Sequence, residues 1–60
     1  MTKDEWIKRA EAELTKATPG WTPSALHDYA DGLFDTYAMN DGGFEDDPEG
    51  AVQEDLTYWE

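Results

Sequence analysis

Apolar residues recur at helical spacing in three separate stretches of this chain, and no stretch shows the strict alternation of a half-buried strand. The first stretch predicts a helix over residues 3–17. Thr2 followed by Glu5 fits a capping box at its start, and Pro19 with Gly20 predicts its end. The apolar stripe of this helix contains Trp6, Ile7, Ala10, Leu14 and Ala17.

The second stretch predicts a helix that begins after Thr22, has Pro23 in its first turn and fades near Met39 and Asn40. The glycine pair at 42–43 offers a left-handed stop after it. The broad apolar face of this helix contains Leu26, Tyr29, Ala30, Leu33, Phe34 and Tyr37.

Residues 40–47, NDGGFEDD, predict an acidic loop, after which Asp47 and Pro48 restart a helix as cap and first-turn proline. The apolar stripe of the third helix contains Val52, Leu56 and Trp59. The predicted fold is therefore all-α, a small three-helix bundle with an acidic loop between helices 2 and 3, in a single domain over residues 1–60. With no cysteine to form a disulfide, such a short chain depends on its aromatic core for stability.

Charge is distributed unevenly along the chain. All four basic residues lie within the first sixteen positions, where four acidic residues balance them. The other eleven acidic residues follow without any Lys or Arg, so they carry the whole formal net charge of −11. This asymmetry predicts a basic protein partner, and it argues against direct nucleic-acid binding because phosphates would be repelled.

The acidic residues of the second helix and the following loop form the candidate partner-binding set. Carboxylates on successive helical turns stand about 5–6 Å apart, comparable to phosphates along one DNA strand. A basic groove that holds a phosphate backbone would attract such a surface, whereas the alternative is an ordinary solvated helix face. The set contains Asp28, Asp31, Asp35, Asp41, Glu45, Asp46, Asp47 and Glu49.

Residues with catalytic or metal-binding chemistry are few. His27 is the only histidine, and we expect Asp31, four residues further on, to support it. The chain shows no nucleophile arrangement and no phosphate-cradling loop, so we expect no enzyme, no cofactor and no metal site. The acidic loop fails the EF-hand spacing. A module that binds a cation through other oxygen ligands of this loop is a third alternative.

Three further residues receive individual predictions. Phe44 and Tyr58 are not clearly buried by the periodicity and are candidate aromatic anchors. They support a second hypothesis, a small adaptor or assembly protein that docks through an aromatic patch while its acidity serves solubility. Asp55 borders the predicted core, and we expect Arg9 or Lys8 to pair with it.

No apolar run of this sequence is long enough for a signal peptide or a membrane span, so we expect a cytoplasmic protein. We also expect a monomer or weak dimer that makes no membrane contact.

Small size, extreme acidity and aromatic helices without catalytic residues together resemble phage-encoded inhibitors of host defence. The chain is most similar in type to anti-CRISPR proteins that mimic DNA, and its segment DDPEGAVQEDLTYWE (residues 46–60) resembles the C-terminal ends of small phage proteins. The resemblance implies a non-catalytic inhibitor in the host bacterial cell. Such an inhibitor would occupy the positively charged DNA-binding channel of a CRISPR-Cas effector complex. The balanced charge of the first helix implies that only one side would engage.

Overall fold

Three α-helices account for most of the chain in the computed structural model, which describes residues 1–40 and 42–59. A π-helical segment, Phe34–Asn40, continues the second helix without a break. The described residues contain no β-strand, which confirms the predicted three-helix fold. The helices are α1 (Lys3–Ala17), α2 (Pro23–Leu33) and α3 (Pro48–Leu56).

Side-chain caps begin the helices as predicted. Thr2 accepts a hydrogen bond of 3.1 Å from the backbone N–H of Glu5, and Thr22 accepts one of 3.1 Å from Ala25. These bonds satisfy amides that have no partner within the first helical turn. At the other end of α1, the buried Thr18 directs both its N–H and its hydroxyl to the carbonyl of Leu14.

The core is built around α1, which packs against both α2 and α3. Trp6 is completely buried, and its indole N–H donates a 2.7 Å hydrogen bond to the carbonyl of Phe44. Ala17 is exposed, so its predicted place in the buried stripe is wrong: it is the last residue of α1, and Thr18 is buried instead. The buried apolar side chains are Trp6, Ile7, Ala10, Leu14, Ala30, Leu33, Tyr37, Ala38, Ala51 and Val52.

The π-helical segment is the local feature that the periodicity did not predict. Its i→i+5 hydrogen bonds widen the helix, so residues after Leu33 leave the 100° register of α2. Tyr37 and Ala38 still reach the core. Gly42 and Gly43 follow with φ of 72° and 88°, which confirms the predicted left-handed stop.

Candidate protein-binding surface

The three aspartates of the second helix do not share one environment. Asp28 and Asp35 are exposed, whereas Asp31 lies 3.2 Å from the ammonium group of Lys3. Asp28 and Asp31 belong to α2, and Asp35 belongs to the π-helical segment. The predicted stripe of three equivalent charges therefore becomes two exposed carboxylates with a paired one between them.

The acidic loop adds two further exposed carboxylates. Glu45 and Asp46 both face solvent, and the α-amino group of Met1 lies 3.7 Å from the carboxylate of Asp46. Asp41 belongs to the predicted set but lies outside the described residues. The described loop thus adds exposed negative charge after the π-helical segment, with Asp46 close to the N-terminus of the chain.

Asp47 caps the N-terminal end of α3. Its carboxylate accepts a 3.0 Å hydrogen bond from the backbone N–H of Gly50, as the cap pattern predicts. A Cβ atom at position 50 would collide with that carboxylate in its present position, so a larger residue there would require the carboxylate to move. The structural role of Asp47 is sufficient to explain an acidic residue at this position.

Glu49 forms a bidentate ion pair with Arg9 of α1. Two N–H groups of the guanidinium, on Nε and Nη2, each donate a 2.9 Å hydrogen bond to one oxygen of the carboxylate. The hydrogen bonds from Arg9 hold the pKa of Glu49 below its ordinary value. Glu49 is therefore compensated, unlike Asp28 and Asp35.

Three of the four basic residues of α1 are engaged in ion pairs within the molecule. Besides the pairs of Lys3 and Arg9, Lys16 lies 3.1 Å from the carboxylate of Glu13, whose pKa it lowers. In each of these three pairs, a carboxylate compensates a positive charge of α1. In the described part of the chain, no ion pair involves Asp28, Asp35 or Asp55.

Asp55 has a different set of partners from the one that we predicted. Neither Arg9 nor Lys8 reaches it. Its carboxylate instead accepts hydrogen bonds from the hydroxyls of Tyr29 and Tyr37, the latter at 3.0 Å, and from the indole N–H of Trp59 at 3.1 Å. Arg9 is paired with Glu49, at the opposite end of α3.

The two tyrosines that contact Asp55 have raised pKa values. Burial, followed by the hydrogen bond to Asp55, raises the pKa of Tyr37 to about 12. The same two causes, in the same order, raise the pKa of Tyr29. The carboxylate of Asp55 is thus held by donors that carry no charge.

An aromatic cluster adjoins this carboxylate. The rings of Trp21 and Trp59 stack with centroids 5.8 Å apart, and Tyr29 meets both of them edge to face. Trp21 and Trp59 remain 37% and 43% exposed. Sequence reasoning missed this cluster as a surface because helical spacing assigned Trp59 to the core.

The two predicted aromatic anchors differ in exposure. Tyr58 is 72% exposed, as an anchor requires. Phe44 is partly buried and packs edge to face on Tyr37, with ring centroids 5.7 Å apart. This packing gives Phe44 a structural role.

His27 does not use the predicted partner. Its Nδ1 lies 2.9 Å from a carboxylate oxygen of Glu11 on α1, while Asp31 is engaged by Lys3.

Within residues 1–40 and 42–59, no three His, Cys, Asp or Glu side chains come together as metal ligands. None of the described helices is long and apolar enough to cross a membrane.

Comparison of the chain with protein-family models, with curated proteins and with solved structures finds no match. The function therefore has to be argued from the surface itself.

Proposed function

We propose that this protein is a non-catalytic inhibitor that binds the basic, nucleic-acid-binding surface of a host-defence complex and blocks DNA from that surface. The observation that supports this most directly is the uneven pairing of its charges. Three of the four basic residues of α1 are engaged in internal ion pairs. The exposed carboxylates of Asp28, Asp35 and Glu45 belong to none of the ion pairs among the described residues.

The physical basis is long-range attraction between this acidic surface and a groove rich in Lys and Arg. Such attraction accelerates association and decreases as salt is added. A groove that evolved to bind phosphates can attract exposed carboxylates by charge alone, without base-specific contacts. The resemblance to anti-CRISPR proteins makes a CRISPR-Cas effector complex in the bacterial cytoplasm the first partner to test.

The experiment is competition with DNA. A purified CRISPR-Cas effector complex is loaded with labelled target DNA and titrated with the protein at low and at high salt. We expect DNA displacement at low salt, and we expect Asp28→Asn/Asp35→Asn to weaken it. The matched control is Asp4→Asn/Glu5→Gln, which removes two exposed acidic charges from α1 and should displace DNA like the wild type.

Equal loss in both double variants would show that only net charge matters. No displacement at any salt concentration would exclude that complex as the partner. A nucleoid protein and a restriction enzyme with bound DNA then serve as the next basic surfaces to test.

A second function is favoured by the exposed aromatic side chains near the C-terminal end of α3. Tyr58 and Trp59 are both exposed and follow the helix directly. An adaptor that docks through them would bind its partner almost independently of salt. Tyr58→Ser would then abolish binding, while Asp28→Asn/Asp35→Asn would leave it intact.

A further inference from the structure

Two adjoining shallow, open grooves along α2 combine aromatic side chains with carboxylates that have no internal counter-ion. The first, of about 560 Å³, is lined by Trp21, Thr22, Ala25, Asp28 and Tyr29. The second, of about 260 Å³, shares Asp28 and Tyr29 with the first and extends to Gly32, Thr36 and Asp55. Asp28 and Asp55 therefore flank one continuous strip of surface.

The walls of the first groove are held in place by the aromatic cluster. Trp21 stacks on Trp59, and the indole N–H of Trp59 lies 3.1 Å from both Asp55 and the hydroxyl of Tyr29. Tyr29 in turn donates to Asp55. A surface ordered in advance loses less conformational entropy when a ligand binds, so its contacts contribute more fully to affinity.

The chemistry of this strip selects a cation. An anion would be repelled by Asp28 and Asp55, and a purely apolar side chain would desolvate carboxylates without replacing their hydrogen bonds. A cation over an aromatic face gains from the ring quadrupole, and a nearby carboxylate adds charge-assisted hydrogen bonds. A guanidinium group can do both at once because it is planar and directs its N–H groups outward in that plane.

We propose that the groove formed by Trp21, Asp28 and Tyr29 binds an arginine side chain of the partner protein. This inference rests on the proposed function, since it names the group on the partner's basic surface that the protein recognises. It also gives the interaction a specific anchor beside the general attraction of the acidic surface. Arginine is common in phosphate-binding surfaces, so an inhibitor that captures one would also remove a DNA contact.

The test uses a short capped Gly/Ser peptide that contains a single arginine, with lysine and citrulline versions as probes of charge and shape. Binding is followed by NMR through the indole N–H signals. We expect the arginine peptide to shift the signals of Trp21 and Trp59, the lysine peptide to shift them less and the citrulline peptide to leave them unchanged. Trp6 serves as an internal reference because it is fully buried and its indole N–H is hydrogen-bonded to the carbonyl of Phe44.

Variants separate the groove from the general charge of the surface. Trp21→Leu and Asp28→Asn should each weaken arginine-peptide binding about two- to fivefold. Asp35→Asn should leave it unchanged, since Asp35 is an exposed carboxylate that does not line either groove. Trp21→Phe retains a ring and should preserve part of the affinity, which guards against a loss caused by misfolding.

Two outcomes would overturn the inference. One is the absence of any shift at Trp21 up to about 100 mM arginine peptide, a concentration above the dissociation constant of about 30 mM that a cation–π contact and an exposed ion pair together allow. The other is equal binding of the lysine peptide together with equal losses in Asp28→Asn and Asp35→Asn, which would show attraction without a groove. Neither outcome bears on displacement of DNA, so failure here is distinguishable from failure of the proposed function.

Discussion

The two ends of α3 hold carboxylates in opposite ways. Near its N-terminal end, Glu49 is neutralised by two hydrogen bonds from Arg9 of α1. Near its C-terminal end, Asp55 is held by Tyr29, Tyr37 and Trp59, which donate hydrogen bonds but carry no charge. Whether a carboxylate is compensated by a cation therefore depends on which helix it faces, and not on composition alone.

The largest effect should come from removing the acceptor at the C-terminal end. Asp55→Leu leaves two hydroxyls and an indole N–H without their carboxylate, so we expect a loss of about 3 kcal/mol in the free energy of unfolding. A domain of this size is stabilised by only a few kcal/mol, so the loss should be obvious in urea denaturation. Asp55→Asn retains one oxygen and should lose less. Equal stability of Asp55→Leu and wild type would contradict the role assigned to Asp55.

A smaller effect should come from one donor of the same cluster. Tyr37→Phe removes one hydrogen bond to Asp55, so we expect a loss of about 1 kcal/mol at neutral pH. Because folding raises the pKa of Tyr37 from 10.0 to about 12, the folded state retains this proton after the unfolded chain has lost it. Stability is therefore complete below pH 10 and falls as the pH rises from 10 towards 12.

Denaturation curves across that alkaline range provide the measurement. In Tyr37→Phe the decline should be shallower than in the wild type, although Tyr29 still contributes to it. Tyr58→Phe is the matched control, because Tyr58 is exposed and should change stability and its alkaline dependence much less than Tyr37→Phe does. A decline of the same slope in all three proteins would refute the assignment to Tyr37.

A pair of glycine substitutions contrasts α2 with the N-terminal end of α3. Replacing glycine by alanine within a helix usually stabilises it by about 0.5–1 kcal/mol, and Gly32→Ala should do so because a Cβ there meets nothing. Gly50→Ala should instead displace the Asp47 cap and cost about 1 kcal/mol. Thermal midpoints of the two variants should therefore move in opposite directions. Stabilisation by both would show that the cap adapts freely.

The smallest effect should be that of Glu49→Gln, since both partners of its ion pair are partly exposed. Arg9 lowers the pKa of Glu49 from its ordinary value of 4.5, so the pair stabilises the fold above that pH. The contribution disappears as the pH falls through the lowered value. Wild type and Glu49→Gln should differ slightly at neutral pH and converge in acid. A difference that persists in strong acid would point to packing rather than charge.

Helix boundaries were the feature of this protein that could best be predicted from its sequence. The predicted first helix over residues 3–17 matches α1, and the caps at Thr2, Thr22 and Asp47 are confirmed. These features depend on residues within one turn of each other, so local pattern is enough to predict them. The π-helical segment was missed because a periodicity of 100° per residue assumes α geometry throughout.

The partners of the charged residues were much harder to predict from the sequence. Arg9 and Glu49 are 40 positions apart, and Tyr37 lies 18 positions from Asp55. Sequence reasoning recognised that Asp55 needed a partner, but it chose a cation when neutral donors were nearer in the fold. It likewise assigned Trp59 to the core, whereas Trp59 stacks on Trp21 beyond the last turn of α3.

By itself, the sequence determined three helices, their caps and an excess of negative charge after residue 16. Only the tertiary structure decided which of those charges are compensated, because an ion pair needs two side chains within a few ångströms. The packing of α1 against α2 and α3 brings Lys3 to Asp31 and Arg9 to Glu49. The same packing leaves Asp28 exposed beside Trp21 and Tyr29, where neither composition nor periodicity predicted a binding groove.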